Sequence, residues 1–200
     1  MELLQEMEEK IAFSIEKLSQ VSRVLKWQVS KKENLSPIQT QSLIYLRNHP
    51  EEFCSVNNLA KEFDLREATI SEAIKTLEGK GYIVKQQKKE DKRVFILSLT
   101  PEGLKVADKV STWSDLLLKH IRQLPSDRKE RIMLCMMEVI KSLQKAGVIG
   151  RARMCLSCAN FQKDVHPGLK KPHHCTLTDT PMASRDLSID CINYRIREDS

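Results

Sequence analysis

The chain has 200 residues, 40% of them hydrophobic, and its 33 Lys and Arg against 27 Asp and Glu give a formal net charge of +6. This length allows one or two domains, and no apolar run approaches the roughly 18 residues of a membrane helix, so we expect no membrane partner. The N-terminal stretch is acidic and amphipathic, unlike a secretory signal or transit peptide, which predicts a cytoplasmic protein. The basic balance favours a polyanionic partner.

The first predicted element is a long helix over residues 2–30. Its apolar residues recur at helical spacing; they are Leu3, Leu4, Met7, Ile11, Ile15, Leu18, Val21 and Leu25. This stripe is longer than the core of a small domain needs, so it predicts a dimer surface as well as core. For any single residue of the stripe, an ordinary place in the core remains equally open.

The next elements occur in the order of a helix-turn-helix. Ser36 and Gln39 form a capping box for a second helix that runs to about Arg47. Ser55 is expected to cap a short third helix, and residues 64–66 supply the turn.

The fourth predicted helix, residues 66–79, has one apolar and one polar face. The apolar face consists of Ile70, Ala73, Ile74 and Leu77. The polar face consists of Thr69, Ser71, Glu72, Lys75 and Thr76. Short polar groups and a long cation are side chains that can reach the edges of DNA bases.

A β-hairpin with a basic tip is predicted directly after this helix. The β-rich runs Tyr82–Lys85 and Val94–Leu99 are joined by residues 86–93, whose cations are Lys88, Lys89, Lys92 and Arg93. A polar helix followed by such a hairpin is the layout of a winged helix, which places the helix in the major groove and the tip beside phosphates or in the minor groove. The alternative is a solvated amphipathic helix and an ordinary charged hairpin.

This region resembles the MarR family of winged-helix transcription regulators. The resemblance rests on T-I-S-x-x-I-x-x-L-E-x-x-G-Y-I from Thr69, on D-x-R at Asp91–Arg93 and on L-T-x-x-G at Leu99–Gly103. It extends over roughly residues 1–148. It implies a homodimer on a palindromic site in double-stranded DNA, with recognition helices in successive major grooves and wings in the minor groove.

The resemblance also implies roles for single residues. The DNA-facing positions would be Ala68, Thr69, Ser71, Glu72 and Lys75 on the helix and Lys88, Lys89, Lys92 and Arg93 on the wing. Arg93 would enter the minor groove, with Asp91 orienting it. Two positions depart from the family pattern: Arg66 replaces the usual Ser or Thr cap, and Glu72 replaces a frequently basic residue. A carboxylate there repels phosphate but accepts from a cytosine amino group, so an unusual operator preference is expected.

Beyond the hairpin, two more helices are predicted. Pro101 opens one that continues past Ile121, and Ser126 is expected to cap the last one, residues 127–145. Cys135 lies beside the apolar stripe of this last helix and is expected to be an inert, packed thiol.

A change of composition after this helix predicts a domain boundary. Residues 1–148 would form the DNA-binding and dimerisation domain, and residues 151–200 a cysteine-rich, metal-binding extension. The expected fold is mainly α with a small β wing: a winged helix-turn-helix dimerised by its N- and C-terminal helices, with a small metal-stabilised extension.

Four of the six cysteines lie in this extension, as Cys155-x2-Cys158-x16-Cys175-x15-Cys191. A C-x-x-C turn together with two distant cysteines can complete a tetrahedral metal site. The extension has too few large apolar residues to fold unaided, so a bound metal would supply folding energy. We therefore predict one metal centre per chain, held by these four cysteines without the other two.

Structural zinc is the first choice for this centre, and a 4Fe–4S cluster is the alternative. The spacing is similar to that of high-potential iron–sulfur proteins, which also pair a C-x-x-C with two separated cysteines. Free thiols or a reversible disulfide form the third option. His173 and His174 could replace a ligand, but we expect them to be exposed or to lie behind the ligands.

The sequence contains no catalytic constellation, since it has no nucleophile elbow, no paired carboxylate motif and no histidine pair at i and i+4. We therefore predict a sequence-specific regulator rather than an enzyme, with a metal centre that is structural or senses redox state or metal. The alternative function is an iron–sulfur redox protein that uses its winged helix for protein contacts. A small-molecule or redox effector remains open.

Overall fold

The structure, a computed structural model, describes residues 6–87, 95–150 and 152–197. It is mainly helical with short antiparallel strands, as the sequence predicts. The helices are α1 (Met7–Lys32), α2 (Pro37–Asn48), α3 (Val56–Glu62), α4 (Glu67–Gly79), α5 (Pro101–Ser111), α6 (Asp115–Arg122) and α7 (Ser126–Lys145). The strands are β1 (Ile83–Gln87), β2 (Phe95–Leu99), β3 (Phe161–Gln162), β4 (His173–Cys175) and β5 (Thr180–Met182). Within the described residues, no helix is both long and apolar enough to cross a bilayer.

The described residues form two compact units. One is built from the chain up to Leu59 and from Arg66 to Lys119, and the other from Ala60–Leu65 and from His120 onward. The second unit therefore groups the whole of the last long helix, α7, with the cysteine-rich segment. The domain ranges 1–148 and 151–200 remain a prediction.

The capping signal of α2 forms as predicted. The Gln39 N–H donates to Ser36 Oγ at 3.2 Å, and the Ser36 N–H donates back to Gln39 Oε1 at 3.0 Å. This reciprocal pair satisfies two N–H groups that would otherwise lack partners at the helix start. Leu43 and Leu46 of α2 are then buried in the core of the first unit.

The helix-turn-helix elements also follow the prediction. The Asn58 N–H donates to Ser55 Oγ at 3.3 Å, which caps α3. Asp64 turns the chain with a positive φ of 51°. Arg66 gives α4 no side-chain cap, as its departure from the usual Ser or Thr predicts.

The L-T-x-x-G motif has a packing reason at the base of the hairpin. The Gly103 N–H donates to Thr100 Oγ1 at 2.9 Å, which caps α5, and the Thr100 hydroxyl donates to the Gly81 carbonyl oxygen at 2.7 Å. A Cβ at residue 103 would overlap the Tyr82 carbonyl oxygen. Only glycine therefore lets α5 start so close to the first strand.

Two predictions about the later helices are wrong. The helix from Pro101 is not continuous as far as Ile121, because a 3-10 turn at Thr112–Ser114 separates α5 from α6. At this break, the Thr112 hydroxyl donates to the Lys109 carbonyl oxygen at 2.7 Å, an alternative bond that weakens helical continuity. Ser126 is the first residue of α7 rather than its cap, since Pro125 precedes it without a side-chain cap bond.

α7 has two apolar faces that differ in exposure. One face packs on the buried cluster of Met137, Met154, Cys158, Phe161 and Leu187 in the second unit. The other carries exposed apolar side chains, which are Ile132, Met136, Val139 and Leu143. Cys135 is exposed within the single chain, so the prediction of a packed thiol is wrong for one chain alone.

Candidate DNA-binding surface and cysteine cavity

The two faces of α4 divide as the sequence predicts. Ile70, Ala73, Ile74 and Leu77 are buried. Ala68, Ser71, Glu72 and Lys75 are exposed, and Thr69 is half-buried. The buried face fixes the rotation of the helix, so the polar side chains point away from the core of the unit.

Most charged groups around this polar face have partners within the first unit. The Asn57 amide donates to Glu67 Oε1 at 2.5 Å, and Lys85 Nζ lies 2.9 Å from Glu78 Oε2. Glu72 and Lys75 form no ion pair with any other described residue. Glu72 and Lys75 therefore give α4 one carboxylate and one ammonium group that remain available to an external partner.

The hairpin that follows α4 is an antiparallel pair. Its register runs from Ile83 opposite Leu99 to Gln87 opposite Phe95. Ile83 and Leu97 are buried at its base. The predicted tip residues Lys88, Lys89, Asp91, Lys92 and Arg93 lie outside the described residues, so their roles remain predictions.

A cleft of 540 Å³ lies beside α1 and the start of α2 in the first unit. Its lining includes Arg23, Lys26 and Trp27. Burial lowers the pKa of Lys26, whose Nζ lies 4.7 Å from the centroid of the Trp113 ring. The cleft thus offers cations and an aromatic surface to a small molecule.

The structure brings the four cysteines of the extension together around one cavity of 60 Å³. Cys155 begins a 3-10 turn, and the Cys158 N–H donates to its carbonyl oxygen at 3.0 Å. Cys175 ends β4, and Cys191 lies in the loop that follows a short 3-10 turn at Ser184–Asp186. The remaining lining residues are Asn160, Phe161, Leu177, Thr178, Met182 and Asn193.

Hydrogen-bond donors point at the sulfur atoms of this cavity. The Ser188 N–H donates to Cys155 Sγ at 3.2 Å. Burial and the three other cysteines raise the pKa of Cys155, and the Ser188 N–H opposes them. Burial would also raise the pKa of Cys175, but bonds from the Thr178 hydroxyl and from the backbone N–H groups of Thr178 and Leu177 lower it overall. Donors of this kind stabilise a thiolate.

The neighbouring histidines have other partners and do not line the cavity. His173 is buried, and its Nδ1 accepts from the Asp164 N–H at 3.2 Å. His174 lies between His166, at 3.2 Å, and Asp179, at 3.1 Å. Their contacts make them poor replacements for a cysteine ligand.

The cavity does not have the form of a site for one ion. In the part of the chain that the structure describes, no three His, Cys, Asp or Glu side chains are placed to hold a single metal ion. The sequence thus predicted which cysteines gather, while the metal centre itself remains a proposal. Sequence reasoning did not find Asn160, Thr178 or Ser188, because no local pattern marks a donor that points at a distant sulfur.

Known proteins match the winged-helix part of the chain. The MarR family model matches residues 35–95. The HTH-type transcriptional regulator BilQ of Clostridioides difficile (strain CD3) is 30% identical over 104 residues, which cover 52% of this chain and 69% of BilQ. The chain belongs to the MarR family. The MarR model ends before the cysteine-rich segment.

Solved structures agree with the MarR assignment at the level of fold. MepR of S. aureus in its DNA-binding conformation has a TM-score of 0.61 at 21% identity, covering 67% of this chain and 98% of MepR. The S. aureus MepR–DNA complex has a TM-score of 0.58 at 21% identity, covering 66% of this chain and 97% of MepR. The predicted winged helix is confirmed. MarR family members are DNA-binding transcription regulators, which also confirms the prediction that the chain is not an enzyme.

Proposed function

We propose that this MarR family regulator binds a palindromic operator in double-stranded DNA as a homodimer, with α4 in the major groove. One observation carries the proposal: α4 buries its apolar face completely and leaves Ala68, Ser71, Glu72 and Lys75 exposed. A helix of this kind can follow the major groove, which is wide enough to admit it.

The exposed side chains differ in what they can read. The Ser71 hydroxyl donates to or accepts from a base edge, and the Ala68 methyl contacts a thymine methyl group. Glu72 accepts from a cytosine amino group and is repelled by phosphate. Lys75 binds either a guanine edge or a phosphate. The half-buried Thr69 lies at the margin of this surface.

Titration with duplex DNA at several salt concentrations tests the placement of α4. If Lys75 contacts a phosphate, Lys75→Ala should lower the slope of log affinity against log salt by about 0.9. Lys105→Ala is the matched control, because Lys105 is an exposed cation on α5 that pairs with Glu102 at 3.4 Å. An equal effect of both variants would contradict a specific role for α4.

Exposed apolar side chains support the homodimer. α1 leaves eight large apolar residues exposed, which are Met7, Ile11, Phe13, Ile15, Leu18, Val21, Val24 and Trp27. α6 leaves Leu116, Leu118 and Ile121 exposed, and α7 adds its outer face. Monomeric proteins rarely leave so much apolar surface uncovered. A second copy of the chain related by a twofold axis would cover these helices and place two recognition helices about one helical turn apart on DNA.

The four-cysteine centre is part of the proposal. The support is that Cys155, Cys158, Cys175 and Cys191 line one cavity although the C-x-x-C pair, Cys175 and Cys191 come from three separate parts of the sequence. Zinc and a 4Fe–4S cluster are the two candidate cofactors, and the centre would stabilise the second unit or sense redox state or metal. A redox protein without DNA affinity has less support, since family membership favours a regulator. Action on DNA agrees with the cytoplasmic location expected from the sequence.

An effector would add a further partner. The cleft beside α1, with Arg23, Lys26 and Trp27, is the candidate position for a small molecule. Its cations favour an anionic aromatic compound. Benzoate is a suitable probe: it should protect Trp27 from solvent quenchers, and no change in quenching would exclude the cleft.

A further inference from the structure

The size of the cysteine cavity discriminates between the two candidate cofactors. Zinc bound by four sulfurs has Zn–S distances of about 2.3 Å, so the sulfurs stand about 3.8 Å apart and touch one another. Such a site leaves no space beyond the ion. The cavity here measures 60 Å³, whereas a water molecule occupies roughly 30 Å³ in the liquid. The cavity that the four cysteines line together with six other residues is therefore larger than a single ion.

A buried donor without a partner lies at the wall of the same cavity. The Asn160 Nδ2 is inaccessible to solvent and has no hydrogen-bond acceptor among the described residues. Buried amide groups are normally paired, because an unpaired donor loses its bonds to water without compensation. Since Asn160 lines the cavity, an occupant with acceptor atoms would satisfy it.

The other walls fit an occupant that is both electron-rich and protected from water. Phe161, Leu177 and Met182 give the cavity apolar surfaces. The Ser188 N–H already donates to Cys155 Sγ at 3.2 Å. Proteins hold iron–sulfur clusters through cysteine thiolates, and hydrogen-bond donors to the sulfurs within an apolar shell help to set the potentials.

We propose that the cavity holds a 4Fe–4S cluster with Cys155, Cys158, Cys175 and Cys191 as its ligands and Asn160 as a donor to a cluster or cysteine sulfur. This inference rests on the proposed four-cysteine centre and names its cofactor. A four-iron cluster offers one iron to each of four separate ligands, and its sulfides supply the acceptors that Asn160 lacks. A zinc ion does not fill this volume, and it adds no acceptor beyond the cysteine sulfurs themselves.

Chemical analysis of the full-length protein, purified without oxygen and reconstituted with iron and sulfide, tests the proposal. We expect about four iron and about four acid-labile sulfide per chain, a brown colour and no bound zinc. Cys158→Ser and Cys175→Ser should each lose the cluster, whereas the matched control Cys135→Ser should keep it. Agreement between the two Ser variants guards against a folding defect of one of them.

The other possible results distinguish an error in the proposed cofactor from an error in the proposed four-cysteine centre. Stoichiometric zinc without sulfide, or about two iron per chain, would overturn the 4Fe–4S cluster and leave the four-cysteine centre standing. Protein that binds neither metal would overturn both, and DNA affinity measured on the same sample would report separately on the winged helix.

The role of Asn160 has its own readout. Asn160→Leu removes the donor at similar volume, so the cluster should remain but its midpoint potential should become more negative. Gln162→Leu, at an exposed position of β3, is the control and should leave the potential unchanged. An identical potential in Asn160→Leu and in the unmodified protein would exclude Asn160 as a donor to the cluster.

Discussion

The guanidinium group of Arg153 lies 3.4 Å from the Glu62 carboxylate, so a residue next to the cysteine turn pairs with the last residue of α3. The same buried guanidinium group bonds to Asp190 at 2.8 Å, and the Cys191 N–H donates to the Arg153 carbonyl oxygen at 2.7 Å. Arg153 thus joins the backbone of Cys191 to Glu62, and all three residues lie in the second unit.

A second contact reaches the turn itself. The Gly150 N–H donates to Asp64 Oδ1 at 3.2 Å, and a Cβ at residue 150 would lie only 2.8 Å from that oxygen. Asp64 belongs to the turn that precedes α4. We therefore expect the proposed four-cysteine centre to affect the turn that precedes α4.

The first prediction concerns this coupling. Cys158→Ser, which removes the proposed centre, should weaken DNA binding roughly fivefold or more, because the segment that supports the turn before α4 loosens. In a Glu62→Gln background, most of this effect should disappear, since the Arg153 contact is already weakened. Affinities of the four proteins of this double-mutant cycle give the coupling directly.

Glu52→Gln is the control for charge in this cycle. Glu52 is exposed and lies in the same stretch of chain, ten residues earlier, so its removal should leave the effect of Cys158→Ser intact. Additive effects of Cys158→Ser and Glu62→Gln would mean that Arg153 does not connect the two regions.

The second prediction compares neighbouring methionines on α7. Met137 is fully buried in the cluster with Cys158, so Met137→Ala should destabilise the second unit by about 2–5 kcal/mol. Met136 is 42% exposed on the other face, so Met136→Ala should weaken dimerisation and leave the second unit stable. Limited proteolysis of the cysteine segment and sedimentation equilibrium measure the two effects.

Tryptophan fluorescence provides an internal control for both variants. Trp27 and Trp113 both lie in the first unit, so their signal should remain native while the second unit of Met137→Ala becomes protease-sensitive. Equal protease sensitivity of the two Ala variants would contradict the assignment of the faces of α7.

The third prediction concerns the wing. If Lys88, Lys89, Lys92 and Arg93 each neutralise a phosphate, removing each should lower the salt slope of DNA binding by about 0.9, and Arg93→Ala should weaken binding without loss of folding. Salt titrations of the single and combined Ala variants measure this. A salt slope that is unchanged after removal of all four cations would exclude the wing from the interface.

The fourth prediction concerns the buried thiol of Cys54. Burial, with smaller effects of Glu51 and Glu52, raises the pKa of Cys54 from 9.0 to about 11. The unfolded chain therefore loses this proton at lower pH than the folded chain, so stability is complete below about pH 9 and falls as pH rises toward 11. The free energy of unfolding of the unmodified protein, minus that of Cys54→Ala, should therefore decrease between about pH 9 and about pH 11.

Urea unfolding followed by tryptophan fluorescence measures this difference, because Cys54 and both tryptophans lie in the first unit. The loss of side-chain volume in Cys54→Ala does not depend on pH and cancels from the comparison. A constant difference between pH 8 and pH 11 would contradict a protonated, buried thiol.

Local signals in the sequence predicted much of the fold. The Ser36–Gln39 capping box and the Thr100–Gly103 contact depend on residues only three apart, so their spacing is sufficient evidence. The apolar face of α4 was predictable for the same reason, since Ile70, Ala73, Ile74 and Leu77 share one helical face. Family motifs then indicated the function of the polar face.

The errors arose where contacts other than the apolar spacing along a helix determine the outcome. Periodicity placed Cys135 beside an apolar stripe but did not show whether the chain itself or a partner covers that stripe. The break after Ser111 depends on hydroxyl groups that compete for backbone oxygens, which apolar spacing does not report. The Arg153–Glu62 pair joins residues distant in sequence, and the burial of the unpaired Asn160 amide depends on the fold around it, so no spacing pattern could predict either.

Selection of bound duplexes from a random DNA pool tests the central claim most directly, with the unmodified protein and Glu72→Gln compared. The unmodified protein should enrich an inverted repeat with half-site centres about 34–36 Å apart. Glu72→Gln should change the preferred base at one position of each half-site and retain the spacing, because the substitution changes only one base-contacting side chain on α4. Enrichment of no repeat, or the same preferred sequence for both proteins, would contradict a dimer that reads DNA through α4.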